Sequence, residues 1–214
     1  MKRLVGSLAA LATAATLFTV APATAADAAK PKERSLVSVL TSDGNHFDRN
    51  AGDFDIVTEA ALAVVAAKPN SAVGVLADGS VRATAFVPTD QAFRVLVKDL
   101  TGKTLRSEKR IFNTLVRVAG VDTIEQVLLY HVIAGKKLTS KKVLKANGTR
   151  FKTAQGENVR IKIRRSHGTP VISIVDQDRN DRNARVILKK VDINKGNKQI
   201  AHGVDRVLRP INLP

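Results

Sequence analysis

Cysteine does not occur in the 214 residues. That absence removes disulfides, thiolate metal ligands, cysteine nucleophiles and lipidation at an N-terminal cysteine, so stability must come from a packed core. Tryptophan is also absent, tyrosine occurs once, and aromatic residues make up 4%. So few rings supply no stacking platform for single-stranded bases, and no specific nucleic-acid partner is expected. Beyond residue 25 no apolar run is long enough to cross a bilayer, and the ending Arg209 to Pro214 lacks a hydrophobic tail. There is no G-x-S-x-G elbow and no glycine-rich phosphate loop. His46, His131, His167 and His202 show neither an i, i+4 pair nor an H-E-x-x-H spacing, so no metal site, cofactor or catalytic residue is expected. Asp176, Asp178 and Asn180 imitate the start of a calcium loop. Asp181 stands where that loop needs glycine and Ile187 where it needs glutamate, so the segment reads as a turn rich in Asn and Asp.

What is present describes an exported globular chain. Hydrophobic residues are 44% and charged residues 25%, the balance of a folded domain, and the length suits one domain with a real core. Lys2 and Arg3 precede an apolar stretch from Leu4 to Ala21, followed by Pro22 and Ala23-Thr24-Ala25-Ala26. These are the charged start, apolar middle and A-x-A site of a secretory signal, which places a signal peptide at 1–25. Residues 26–34, small, charged and broken by Pro31, read as a linker. The folded domain is expected over 35–213, and the chain outside the cell or loosely associated with its wall.

From Ser35 to about residue 147 the period is helical. Asp55 is placed to cap a helix from Ile56 to Lys68, which Pro69 stops. Thr89 is placed to cap a helix in which Phe93, Leu96, Val97 and Leu100 form one apolar stripe, closed by Gly102. Ser107 opens another helix through Ile111, Leu115 and Val118, and Thr123 with Gln126 reads as a capping box for one more. After Gly148 the period becomes two: Val159, Ile161 and Ile163 alternate with Arg160, Lys162 and Arg164, the pattern of a half-buried strand. Strands are expected again over 171–175, 185–191 and 199–208. Helices first and strands later indicate an α+β domain with a mostly antiparallel sheet.

Three segments carry a family resemblance: TAFVPTDQAF (84–93), LLYHVIAG (128–135) and IAHGVDRVLRP (200–210). In this order they resemble the strand-to-helix motif, the Tyr-His motif and the closing strand of the fasciclin domain family, here of the secreted bacterial, actinobacterial type. The resemblance implies a single domain, a wedge-like, mostly antiparallel β-sheet with helices packed around it, and a place in adhesion or matrix biology. Pro88, Thr89, Asp90, Phe93, Tyr130 and His131 match the family motif and are expected to act structurally, with Asp90 a plausible partner of His131 by resemblance. The loop DGNHFDRNAGDFD (43–55) and the segment DQDRNDRN (176–183) are longer than a minimal member needs.

Charge supplies the remaining clue. The formal net charge is +16, yet residues 26–135 hold 13 basic and 13 acidic side chains, whereas residues 136–165 hold 11 against 1. Lys136, Lys137, Lys141, Lys142, Lys145, Arg160, Lys162, Arg164 and Arg165 are the candidate binding residues, with Arg150 and Lys152 in the same stretch. Clustered cations release counterions from a charged polymer and sum weak attractions. The expected function is a non-enzymatic adhesion, matrix or cell-surface interaction module. Its partner would be an extracellular polyanion such as a cell-wall polymer or acidic polysaccharide, or a cell-surface protein. The alternatives are a carrier of a small hydrophobic ligand and a secreted hydrolase.

Overall fold

The computed structural model describes residues 33–211. The signal peptide and most of the linker expected from the sequence therefore lie outside the described residues. Glu33 and Arg34, assigned to the linker by sequence, are already tied down: Lys198 Nζ lies 2.9 Å from Glu33, and the Arg34 N–H donates to Asn197 Oδ1 at 3.1 Å.

The helical part begins with α1 (Leu36–Leu40), capped by Ser35, whose hydroxyl accepts from the Ser38 N–H. Helix α2 (Asp55–Ala67) buries Ile56, Val57, Ala60 and Val64. After a 3-10 turn (Ala72–Ala77), strand β1 (Ala83–Pro88) runs into α3 (Asp90–Thr101), and Gly102 ends α3 at φ 69°. This is the left-handed conformation that glycine adopts without steric cost. Helix α4 (Glu108–Tyr130) starts at Ser107 and is interrupted at Gly120, whose φ of 73° and ψ of 164° break the helical ladder.

The strands follow: β2 (Val132–Ala134), β3 (Arg150–Lys152) after the one-turn helix α5 (Ser140–Val143), β4 (Asn158–Ser166), β5 (Thr169–Val175), β6 (Ala184–Arg185) and β7 (Gln199–Val204). They form two sheets, ordered β2-β1-β7 and β3-β4-β5-β6. The β4–β5 hairpin pairs Ser166 with Thr169, leaving a two-residue turn in which His167 and Gly168 both have positive φ. That turn matches the right-handed twist of the flanking strands.

Alternation along β1 explains the layering. Ala83, Ala85 and Val87 face a core shared with α2, α3 and α4, whereas Phe86 belongs to a second core with Tyr130, Ile133, Ile161, Ile172, Ile174 and Leu208. The helices thus cover one face of the three-stranded sheet and the four-stranded sheet covers the other, with β1 buried throughout.

Four expectations need correction. Asp55 is the first residue of α2 and not its cap, because the Asp90 carboxylate takes the cap role from a neighbouring helix. Thr123 opens no separate helix: the chain is helical again directly after Gly120, so the break comes from glycine and not from a capping box. Over 185–191 only Arg185 belongs to a strand; Val186 makes a single bridge to Val204, and Leu188–Lys190 turn as a 3-10 helix. The closing strand stops at Val204, and it pairs with β1 in parallel, against the antiparallel habit of the other strand pairs.

Candidate functional site

Paired residues of neighbouring strands point to the same face, so strand register decides which cations come together. Arg150 pairs with Arg160 and Lys152 with Asn158; Lys162 pairs with Ser173, which pairs in turn with Arg185. Arg150, Lys152, Arg160, Lys162, Arg164 and Arg185 therefore share the outer face of the four-stranded sheet. The alternate residues Phe151, Val159, Ile161 and Ile163 face the second core. All but Arg185 of the six cations are exposed. Arg165 has the opposite parity and lies at the open end of the hairpin, where its guanidinium donates to Gly168 O at 3.2 Å.

Lys136, Lys137 and Lys142 form a separate group. With Arg82 and Lys198 they line a polar cleft of about 540 Å³ beside Phe151. Lys141 and Lys145 are exposed on and just after α5. Among the described residues, none of the eleven cations of 136–165 takes part in a salt bridge. The surface is thus a cationic sheet face without internal counter-ions and a cationic cleft in which Lys198 meets Glu33 while Lys136, Lys137 and Lys142 have no acidic partner.

The motif residues sit in the interior. Tyr130 is fully buried and its hydroxyl donates to Asn158 O at 3.1 Å. His131 Nδ1 lies 2.7 Å from Val127 O, and its Nε2 accepts the Leu208 N–H at 2.8 Å. With Nδ1–H donating and Nε2 accepting, the ring is neutral, and burial pulls its pKa down to about 4. His131 therefore joins the end of α4 to the segment after β7. Asp90 is not its partner: the Asp90 carboxylate accepts from the N–H groups of Ile56 at 2.9 Å and Asp55 at 3.3 Å, closing the start of α2. Phe93 packs in the first core, and Pro88 and Thr89 are buried at the turn into α3.

Two further features lie apart from the cationic surface. Carboxylate oxygens of Asp48, Asp53 and Asp55 lie within 4.8 Å of one another, and so do those of Asp53, Asp90 and Glu108. An apolar cavity of about 530 Å³ lies between α3, α4 and the segment 207–211, walled by Phe93, Leu96, Phe112, Leu115, Val127 and Val207.

With this geometry in view, the comparisons decide the family. The fasciclin domain model matches residues 58–210. The chain belongs to the fasciclin domain family. Among solved structures it is similar to a FAS1 domain pair from the insect cell adhesion molecule Fasciclin I, with a TM-score of 0.54 and 19% identity. The match covers 82% of this chain and 50% of that one, so the chain spans about half the length of the pair. A search of curated proteins finds no match. Fasciclin domains are in general non-enzymatic adhesion modules, found outside cells or at their surface. Among the described residues, no helix is long and apolar enough to cross a membrane.

Within this fasciclin domain, sequence reasoning reached the β4 cations through their alternation with Val159 and Ile161. Arg185 was missed because it joins the face through pairing with β5, a contact that periodicity does not encode. The acidic group was missed because Asp90 and Glu108 come to loop 43–55 from 35 and 60 positions along the chain. The signal that pointed to it was the length and acidity of that loop.

Proposed function

We propose that this fasciclin domain is an exported interaction module that engages extracellular polyanions, a cell-wall polymer or an acidic polysaccharide, through the cations of its four-stranded sheet and the adjoining cleft. The observation that carries this reading is the direct cross-strand pairing of Arg150 with Arg160. Like charges placed opposite each other destabilise a sheet by about 0.2–1 kcal/mol. An external anion relieves that repulsion, whereas a solvated face has no need of it. The charged leader at the start of the chain supports export. The expected outcome is retention of the full chain on an immobilised teichoic-acid or polyglutamate matrix at 50 mM salt and its release well below 1 M, because displaced counterions drive the binding. Passage without retention at low salt, or retention indifferent to salt, contradicts the proposal.

A second reading, carriage of a small hydrophobic ligand, is favoured by the apolar cavity of about 530 Å³, a size within the range of ligand pockets. Mass spectrometry of a solvent extract of the purified protein tests it: a stoichiometric lipid-like compound supports the carrier, and a clean extract counts against it.

A further inference from the structure

A chain with an excess of cations brings five carboxylates together at one place. Asp48, Asp53 and Asp55 of the loop before α2 form one set, and Asp53 is shared with Asp90 and Glu108 in the second. The opposing cation is Arg94, whose Nη2 lies 3.3 Å from Glu108. Proximity of carboxylates is not by itself a site, so what each oxygen does decides the matter. Asp90 is occupied with the first N–H groups of α2, and Glu108 accepts the Asp48 N–H at 2.6 Å as well as Arg94.

The other set is different. Asp55 is 3% exposed, yet no N–H or O–H of the described residues donates to its carboxylate. Asp53 Oδ1 is enclosed and also lacks a donor. An enclosed oxygen such as Asp53 Oδ1 costs roughly 1–3 kcal/mol when nothing satisfies it. The dipole of α2 disfavours a cation at its start by less than 1 kcal/mol, a minor opposition to three carboxylates.

The donor set selects the ion. Three carboxylates with no nitrogen or sulfur among them suit a hard cation, and calcium takes such oxygens in a flexible arrangement, whereas magnesium demands a near-ideal octahedron and sheds its waters reluctantly. Asp48 is exposed, which leaves one side open to the waters that calcium's six to eight positions accept.

We propose that Asp48, Asp53 and Asp55 form a calcium site at the entry to α2, backed by the carboxylates of Asp90 and Glu108. The site stands apart from the cationic sheet and does not depend on the polyanion reading. The ion ties loop 43–55 to the start of α2.

Calorimetric titration of the chelator-treated full chain with calcium chloride tests this directly. One equivalent of calcium binds, magnesium binds at least about tenfold more weakly, and calcium at tenfold above its Kd raises Tm by about 3–5 °C at constant ionic strength. Asp53→Asn abolishes the heat. Asp48→Asn, on the exposed side and outside the core, weakens binding about tenfold or more with an unchanged circular dichroism spectrum, so the test survives if Asp53→Asn fails to fold. No heat and no Tm shift in 10 mM calcium overturns the proposal, and so does calcium binding undiminished in Asp48→Asn.

Discussion

The helical part and the four-stranded sheet handle charge in opposite ways. Residues 26–135 are balanced at 13 basic and 13 acidic side chains, and many of these meet internally. Lys68 bonds Asp122 at 2.8 Å and also Glu125; Arg94 meets Glu108; Asp90 caps α2. In the stretch 136–165, with 11 cations and a single acid, the cations face solvent and one another. The same residue types thus serve structure where their partners fold beside them, and leave an uncompensated cationic surface where they do not. Neither composition nor total charge distinguishes these outcomes; strand register and burial do.

The sharpest way to break the comparison is to cut the ionic tie that joins the two regions. Arg209, 5% exposed, follows the closing strand and lies 2.6 Å from Asp99 of α3 and 3.1 Å from Asp178 of the β5–β6 loop. Arg209→Ala removes the guanidinium from the buried Asp178 carboxylate and from the exposed Asp99 and costs about 3–5 kcal/mol, measured by urea unfolding. A loss under about 1 kcal/mol makes the network a surface feature and erases the contrast with the free cations of the sheet.

A smaller loss is expected at His131. His131→Ala strips the Leu208 N–H of its acceptor and costs roughly 2–4 kcal/mol at pH 7. The folded pKa of about 4 lies below the ordinary 6.5. The contribution of the neutral ring is therefore complete above pH 6.5 and is lost as pH falls toward 4. The gap between wild type and variant narrows by about 2 kcal/mol at pH 4.5, read from denaturant curves at several pH values. A gap independent of pH contradicts a buried neutral ring.

The smallest effect has the opposite sign. Arg160→Thr relieves the repulsion with Arg150 and raises stability by about 0.2–1 kcal/mol, while weakening retention on a polyanion. A destabilised variant, or one retained as strongly as wild type, shows that the arginine belongs to the fold and not to a binding surface.

Much of this was legible before the structure. The Phe93, Leu96, Val97 and Leu100 stripe is long enough for its period to register, and it packs as expected. The β4 alternation predicted both its inner apolar residues and its outer cations. Strands β2 and β3, three residues each, are too short to display a period. The parallel pairing of β1 with β7 joins residues more than a hundred positions apart, and nothing local announces it. Asp90 illustrates the same limit at the candidate site: the family resemblance suggested a place beside His131, whereas its side chain crosses to α2. Residues whose partners are near in sequence were readable; those whose partners arrive through topology were not.

The central claim is that the placement of the cations, and not their sum, makes the binding surface. Its most direct measurement compares the salt dependence of polyanion binding for two variants of equal net charge: Arg160→Glu with Lys162→Glu on the sheet, and Lys103→Glu with Lys109→Glu on the helical side. The sheet variant is predicted to lose about tenfold or more in affinity and to flatten the slope of log K against log salt by about 1–3, with the helical variant close to wild type. Equal losses in the two variants contradict the account.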